Sequence, residues 1–325
     1  MSSLSPIPLH SLASVGRGLR RPECVLCTSD GSIVVSNWDG GVTVIEASAA
    51  QHDIVAEDSP VDLKPNGLAL LEDGSFLLAN LGDDGGVWRL YRDGGVEPFL
   101  TSVDGIALPP SNFVLVDAAG RTWLTVSTRI SPRADAYRPD TADGFIALVD
   151  ASGSRIVADG LGYTNEVQVH PSGQWLYVNE TFARRTSRMR IATDGSLGPR
   201  QTVTEYGPGT FPDGLCFDEQ GAFWVVSIVS NRVIRVTPDG SQTLLVEDAD
   251  PQHVAEVEAA FTSGTMGRRH LDRIQSERLQ STSSIAFGGP DRRNCLIGCL
   301  LGDSIASFRS PVAGVKPVHW NWRAA

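Results

Sequence analysis

One phrase recurs six times along the chain and restricts the fold more than any other feature. It consists of a polar residue, a short apolar run, a tight turn and a second apolar run. It begins at Glu23 (ECVLCTSDGSIVVSN), Asn66 (NGLALLEDGSFLLAN), Asn112 (NFVLVDAAGRTWLTV), Asn165 (NEVQVHPSGQWLYVN), Asp213 (DGLCFDEQGAFWVVS) and Ser284 (SIAFGGPDRRNCLIG). Short runs rich in Val, Leu, Phe and Trp, broken by Gly, Asp or Asn, form β-hairpins. Further short strands follow most of the hairpins, for example Gly41–Glu46 with Asp53–Ala56 and Arg232–Thr237 with Thr243–Val246. Six units of about four antiparallel strands, each about 45 residues long, predict an all-β, six-bladed β-propeller. A β-sandwich would not repeat one motif six times at this spacing. The propeller is read as one domain over 1–325.

The sixth unit runs out of sequence before its outermost strand. The stretch near Leu9–Val15 is expected to supply that strand and so close the ring, removing an exposed sheet edge.

In a propeller the innermost strand of each blade lines the central channel, and successive strands run antiparallel. The six phrase starts therefore gather at one mouth of the channel, and the ends of the second strands (Asn37, Asn80, Thr128, Glu180, Ser227) return to the same face. Two long insertions fall there as well. Arg129–Asp143 is rich in Arg, Asp and Pro. The segment 247–282, between blades 5 and 6, carries a helix with Asp250 as N-cap, Pro251 at the first helical position, apolar Val254, Val257 and Phe261, and Gly264 as its stop. Both are expected to arch over the mouth as lid-like or binding segments.

Glu23, Asn112, Asn165 and Asp213 bring two carboxylates and two amide oxygens to that mouth. All are hard oxygen donors, suited to Ca²⁺ or Mg²⁺, and no His joins them. A single Asn or Asp at a strand start is ordinary turn chemistry; four around one ring point to a metal. There is no G-x-S-x-G elbow, so a Ser-His-Asp hydrolase has no support. His253 and His270 lie in the second insertion and are minor acid/base candidates.

Composition bounds the partners. The net charge of −11 repels phosphate backbones and anionic membranes, so neither nucleic acid nor membrane is expected. The five cysteines form no paired framework, which suggests a reducing, cytoplasmic setting. Cys24 and Cys27 form a C-x-x-C without a second half-site, and are read as buried apolar residues. No run reaches the roughly 18 apolar residues of a membrane span.

The marks PECV (Pro22–Val25), SNFVLVDAAGRTWLT (Ser111–Thr125), TNEVQVHPSGQWLYVNET (Thr164–Thr181), FPDGLCFDEQGAFWV (Phe211–Val225) and IAFGGPD (Ile285–Asp291) together resemble the gluconolactonase / senescence marker protein (regucalcin) family of six-bladed propellers. The resemblance implies metal-dependent hydrolysis of a lactone, commonly a sugar lactone. Ca²⁺ is the expected ion, with Zn²⁺, Mn²⁺ or Mg²⁺ as alternatives. It implies Glu23, Asn165 and Asp213 as metal ligands, with Asn112 completing the site or touching substrate. The chain departs from that family by Pro110, where sugar-lactone members often carry Arg, by Asn165-Glu166 in place of Asn-Gly, and by the long second insertion. Asp213 is the candidate for activating water, with Glu166 or Glu180 as the alternative base. Asn66, Asn80, Asn112 and Glu180 are the candidates for holding substrate. A phosphotriesterase-like hydrolase at the same metal and a non-enzymatic Ca²⁺-binding propeller are the alternative readings. Arg129, Arg133, Arg138, Arg184, Arg268 and Arg269 near the mouth suggest a carboxylate-bearing or polyhydroxylated substrate. The oligomeric state is left open.

Overall fold

A computed structural model describes residues 4–273 and 276–324. Met1–Ser3 and Ala325 of the expected domain, and Ile274 and Gln275 of the second insertion, lie outside the described residues. Six four-stranded antiparallel sheets account for the repeats. From inner to outer strand, blade 1 comprises Val25–Cys27, Ile33–Asn37, Gly41–Ile45 and Gln51–Val55; blade 2 comprises Pro65–Leu70, Phe76–Asn80, Val87–Leu90 and Val96–Leu100. Blade 3 is Phe113–Val116, Thr122–Val126, Gly144–Asp150 and Gly153–Leu161, and blade 4 is Thr164–Val169, Trp175–Glu180, Arg185–Arg190 and Gln201–Glu205. Blade 5 is Thr210–Phe217, Phe223–Val229, Arg232–Val236 and Gln242–Glu247. The six inner strands contact one another in a closed circle, which is the propeller ring the repeats predict.

Blade 6 combines Thr282–Gly288, Asn294–Cys299 and Ile305–Arg309 with the N-terminal strand Ala13–Val15. Ala13 pairs with Ser307 and Val15 with Ile305. The closing strand is shorter than the Leu9–Val15 expectation because Leu9–Ser11 forms a 3₁₀ turn.

The turns far from the mouth explain part of the repeated spelling. In blade 3, Asp117 accepts hydrogen bonds from the Ala119 and Arg121 amides, Arg121 Nε (2.8 Å) and Trp123 Nε1 (2.9 Å). In blade 5, Asp218 does the same for Gln220 N, Ala222 N, Trp224 Nε1 (2.9 Å) and Arg235 Nε (2.7 Å). The buried carboxylate thus shapes the turn and pins a core Trp six residues on. All five cysteines are free, and four of them are buried. Among the described residues no helix is long and apolar enough to cross a membrane.

The second insertion carries a helix, Pro251–Thr262, with Asp250 Oδ1 accepting from His253 N (2.7 Å) and Pro251 in the first turn, as its spelling predicts. Gly264 follows in a left-handed conformation (φ 69°). A short helix, Arg268–Leu271, comes next. Val257, Ala260, Phe261, Met266 and Leu271 of this insertion share one buried cluster with Ala136 and Tyr137 of the first insertion and with Tyr163, Phe182 and Phe211 of the blades. Glu258 pairs with Arg184 and accepts from Gly209 N (2.6 Å). The Arg184 guanidinium lies 4.2 Å over the Phe261 ring. Burial of each large apolar side chain is worth roughly 1.5–3 kcal/mol, so the two insertions are docked on the blades and on each other.

Candidate active site at the channel mouth

The strand ladders break where the site residues sit. Between Pro65 and Leu68, Thr164 and Val167, Pro212 and Leu215, and Thr282 and Ile285, the register of the inner strand shifts against the second strand. Each break frees a residue pair: Asn66-Gly67, Asn165-Glu166, Asp213-Gly214 and Ser283-Ser284. Bulges of this kind re-aim a side chain and are common beside active sites. In blades 1 and 3 the strand starts just after Glu23 and Asn112, which has the same effect. Two left-handed non-glycine residues stand two positions before a mouth residue, Arg21 (φ 50°) and Tyr163 (φ 64°), and Ser281 (φ 63°) stands two before the freed pair of blade 6. Such backbone is costly and tends to concentrate at functional sites.

Glycine is needed at two of the breaks. A Cβ on Gly67 would stand 2.6 Å from Phe113 Cα, and one on Gly214 would stand 2.6 Å from Ser284 Cα, each in the next blade's inner strand. Blade 4 carries Glu166 at the equivalent place. Its carboxylate reaches blade 5, where Oε2 accepts from Leu215 N (3.1 Å), and a Cβ on Gly214 would crowd its Cδ at 3.2 Å.

Glu23, Asn112, Asn165 and Asp213 all line one cavity at the mouth, of about 50 Å³, together with Arg21, Asn66, Arg133, Tyr137, Tyr163, Thr181, Phe182, Arg268 and Leu271. A water needs roughly 10–15 Å³, so the floor of this open cavity has room for an ion and a few waters. All four predicted ligands are at most 5% exposed. Each also presents one buried oxygen with no hydrogen-bond partner: Glu23 Oε2, Asn112 Oδ1, Asn165 Oδ1 and Asp213 Oδ1. Burying even one such acceptor unpaired costs about 1–3 kcal/mol.

Two of the side chains are tied by hydrogen bonds, and the backbone of a third is held. Glu23 Oε1 accepts from Asn66 Nδ2 (2.8 Å), and the Glu23 amide donates to Ser36 Oγ (2.9 Å). Asn165 Nδ2 donates to Thr181 Oγ1 (2.9 Å), which itself donates to the Pro212 carbonyl (2.8 Å). Asn179 Nδ2 donates to the Asp213 carbonyl (2.8 Å). Four buried side chains, each with an unpaired oxygen, fit a hard divalent cation. Only two of the four are carboxylates, and among the described residues no group of three or more His, Cys, Asp or Glu side chains gathers around one point.

Burial raises the Glu23 carboxyl to about 7 against the opposing pull of Arg21. Burial, then Glu23 and Glu166, push Asp213 well above the usual carboxylate range. Glu166 is raised in the same way, first by burial and then by Glu23.

The other expected residues fall elsewhere. Glu166 lies beneath the cavity and is not among its lining. Glu180 is fully buried in blade 4, paired with Arg185 (2.7 Å) and Arg200 (3.2 Å) and accepting from Ser187 Oγ (2.6 Å) and Gly162 N (2.8 Å). Strand alternation explains this: Asn179 and Thr181 face blade 5, donating to the Asp213 and Pro212 carbonyls, so Glu180 points to the opposite face of the sheet. Asn80 shapes its own loop, its Oδ1 accepting from Lys64 N (2.8 Å) and Gly82 N (3.0 Å). Asn66 lines the cavity, but Arg21 (2.9 Å) holds its oxygen while Glu23 and the Asn112 carbonyl hold its nitrogen. It positions Glu23. His253 and His270 do not line the cavity; His270 Nδ1 accepts from Gly267 N (3.0 Å) as part of the short helix's start. Arg129, Arg138 and Arg184 are paired with Asp159, Asp140 and Glu258.

Arg21, Tyr137, Tyr163, Thr181 and Phe182 escaped the sequence reading. Arg21 and Tyr163 lie two residues before Glu23 and Asn165, and Thr181 and Phe182 lie just past a second strand, so period two and strand ends carried the signal.

The SMP-30/Gluconolactonase/LRE-like region family matches residues 22–254. A 6-deoxy-6-sulfogluconolactonase from Pseudomonas putida is 30% identical over 175 residues, which span 53% of this chain and 56% of that protein. The match thus takes in little more than half the length of that relative. Among solved structures, a gluconolactonase from Xanthomonas campestris superposes with a TM-score of 0.67 at 18% identity, covering 94% of this chain and 89% of the other. A calcium-binding regucalcin from Agrobacterium tumefaciens superposes with a TM-score of 0.66 at 16% identity, covering 99% and 100%. At these identities the structures establish a common fold.

Proposed function

Because this chain belongs to the SMP-30/Gluconolactonase/LRE-like family, we propose that it is a metal-dependent lactonase, a carboxylic ester hydrolase that opens a lactone ring at the channel mouth. The observation that carries the reading is the set of four buried, unpartnered oxygens on Glu23, Asn112, Asn165 and Asp213. These residues would hold one divalent cation, with Ca²⁺ the best match to an all-oxygen set of carboxylates and amides. Bound there, the cation supplies Lewis-acid polarisation of the lactone carbonyl.

In the proposed reaction a water oxygen bonds to the carbonyl carbon, the ring C–O bond breaks, and the ring oxygen takes a proton. The product is the open hydroxy acid. Asp213 lines the cavity and takes the proton from water through the carboxylate oxygen that does not hold the cation. Glu166 supports Asp213 from below by fixing the Leu215 amide, and Asn66 holds Glu23 in place. Tyr137, Tyr163, Phe182 and Leu271 wall the cavity and keep bulk water from the reacting carbon. The relatives named above lend a sugar lactone as the first substrate to try, and the acidic surface and cysteine usage support a cytoplasmic setting.

The test is ring opening of a lactone panel by chelator-treated protein with Ca²⁺, Mg²⁺, Mn²⁺ or Zn²⁺ restored singly, and a phosphotriester as comparator. Metal-dependent acid release from a lactone is the expected result. Preferential turnover of the phosphotriester would overturn the substrate class. Tight Ca²⁺ binding without turnover would favour the second reading, a Ca²⁺-binding propeller, which the same donor set supports.

A further inference from the structure

The cavity carries more positive charge than a cation site alone requires. Arg21, Arg133 and Arg268 line it together with the four oxygens. They reach it from three places: the left-handed turn before blade 1, the first insertion and the second insertion. Arg133 donates through Nη2 to Ser127 Oγ (3.1 Å) and stands 5.6 Å over the Tyr163 ring, while its buried Nε has no partner. Arg21 donates to Asn66 and lies 4.2 Å over the Trp38 ring. Arg268 is paired with Asp272 (2.7 Å) on the outer side. Among the described residues neither Arg21 nor Arg133 forms an ion pair, whereas the neighbouring Arg129 and Arg184 do.

The charge count decides what is missing. Glu23 and Asp213 are offset by a divalent cation, and Asp272 offsets Arg268. Even with Glu166 beneath the cavity set against one of the other two, a guanidinium charge is left over among the residues lining the cavity of a protein whose net charge is −11. Arg presents a planar fork of donors matched to carboxylate and other oxyanions.

We propose that Arg133, with Arg21 and Arg268, forms an anion subsite, and that the lactone this protein opens carries a fixed oxyanion, a carboxylate or a sulfonate, on the substituent distal to the ring ester. The inference rests on the lactonase reading for the ring and on the arginines alone for the anion. Arg133 and Arg268 set specificity by holding that group.

The experiment compares kcat/KM for an uncharged sugar lactone with the same ring bearing a terminal carboxylate and, in a separate arm, a terminal sulfonate. The two arms tell the two oxyanions apart. A charge-assisted hydrogen bond is worth about 1.5–3 kcal/mol, so the anionic substrate should be preferred roughly 10- to 150-fold. Arg133→Gln and Arg268→Gln should each reduce that ratio by about tenfold or more, and raised salt should reduce it in the wild type. Arg129→Gln, paired with Asp159 outside the cavity, should leave the ratio unaltered. Equal turnover of charged and uncharged lactones, or an Arg133→Gln, Arg268→Gln double variant that discriminates as the wild type does, would overturn the inference.

A readout independent of turnover is calorimetric binding of isethionate and of ethylene glycol to the Ca²⁺-loaded protein, with melting temperatures to confirm that each variant folds. Isethionate should bind to the wild type and be lost in Arg133→Gln, and ethylene glycol should not bind. If no lactone is opened, the lactonase reading fails and this titration decides the anion subsite by itself; no isethionate binding would then remove it.

Discussion

Replacing Asp213 by Asn should strengthen the metal-free fold and abolish its response to metal. The carboxyl is 4% exposed, its Oδ1 has no partner, and burial together with Glu23 and Glu166 disfavours its charged form. An amide of the same shape removes that charge. The amide keeps an unpaired oxygen but no longer carries a charge that burial disfavours, and relief of that cost is worth on the order of 1–3 kcal/mol. Unfolding entropy of roughly 2.1 cal/mol/K per residue gives about 0.7 kcal/mol/K for 325 residues. The chelator-treated variant should therefore melt about 1.5–4.5 °C above the chelator-treated wild type. Wild type supplied with Ca²⁺ at 100 times its Kd gains about 2.7 kcal/mol, or about 4 °C, and the variant gains nothing. Scanning calorimetry above about pH 7, where Glu23 is ionised, reads both effects in one experiment. A variant that is less stable than wild type without metal, or that keeps the Ca²⁺ shift, would refute the argument that this carboxylate is held in place for a cation.

Other expectations concern the frame around the site. Asp218→Ala strands the buried Arg235 guanidinium and the Trp224 indole N–H, so it should cost about 3–5 kcal/mol; a urea midpoint implying under about 1 kcal/mol would remove Asp218 from its pinning role. Burial lowers His319 from its ordinary value to about 4. The neutral ring is favoured in the fold, so its contribution is present above about pH 6.5 and is lost as pH falls towards about 4. His319→Gln should flatten stability against pH across that window, and an unaltered profile would show that another group governs it. Deleting residues 1–15 removes the outer strand of blade 6 and bares the edge of Ile305–Arg309, so the truncated protein should melt lower and self-associate in light scattering.

The fold could be read because each blade announces itself locally: a hairpin phrase is short, its turn residues are explicit, and Asp117 and Asp218 sit in the turns they shape. The four oxygen donors were readable for a related reason, since the start of an inner strand is a fixed place in the ring. What escaped depends on side-chain direction and long-range packing. Glu180 ends a second strand as expected but points away from the mouth, because Asn179 and Thr181 on either side of it take the sheet face towards blade 5. Arg21 and Tyr163 reach the cavity through left-handed backbone, a conformation the residue types do not advertise. The placement of Arg133 and Arg268 depends on one buried cluster joining insertions far apart in the chain, which no local pattern encodes.

The pairing of Ala13 with Ser307 also governs the order in which the molecule can be made. Most ladder contacts lie between neighbours in sequence and can form as each hairpin leaves the ribosome, but the ring cannot close until the last blade has been synthesised. Closure therefore carries a large loop-entropy cost late in folding. Until then the N-terminal strand Ala13–Val15 has no partner and the mouth residues of blades 1 and 6, including Glu23, are not held beside one another. Site assembly thus waits for the final step of folding, and a chain interrupted before blade 6 would carry intact blades and no functional mouth.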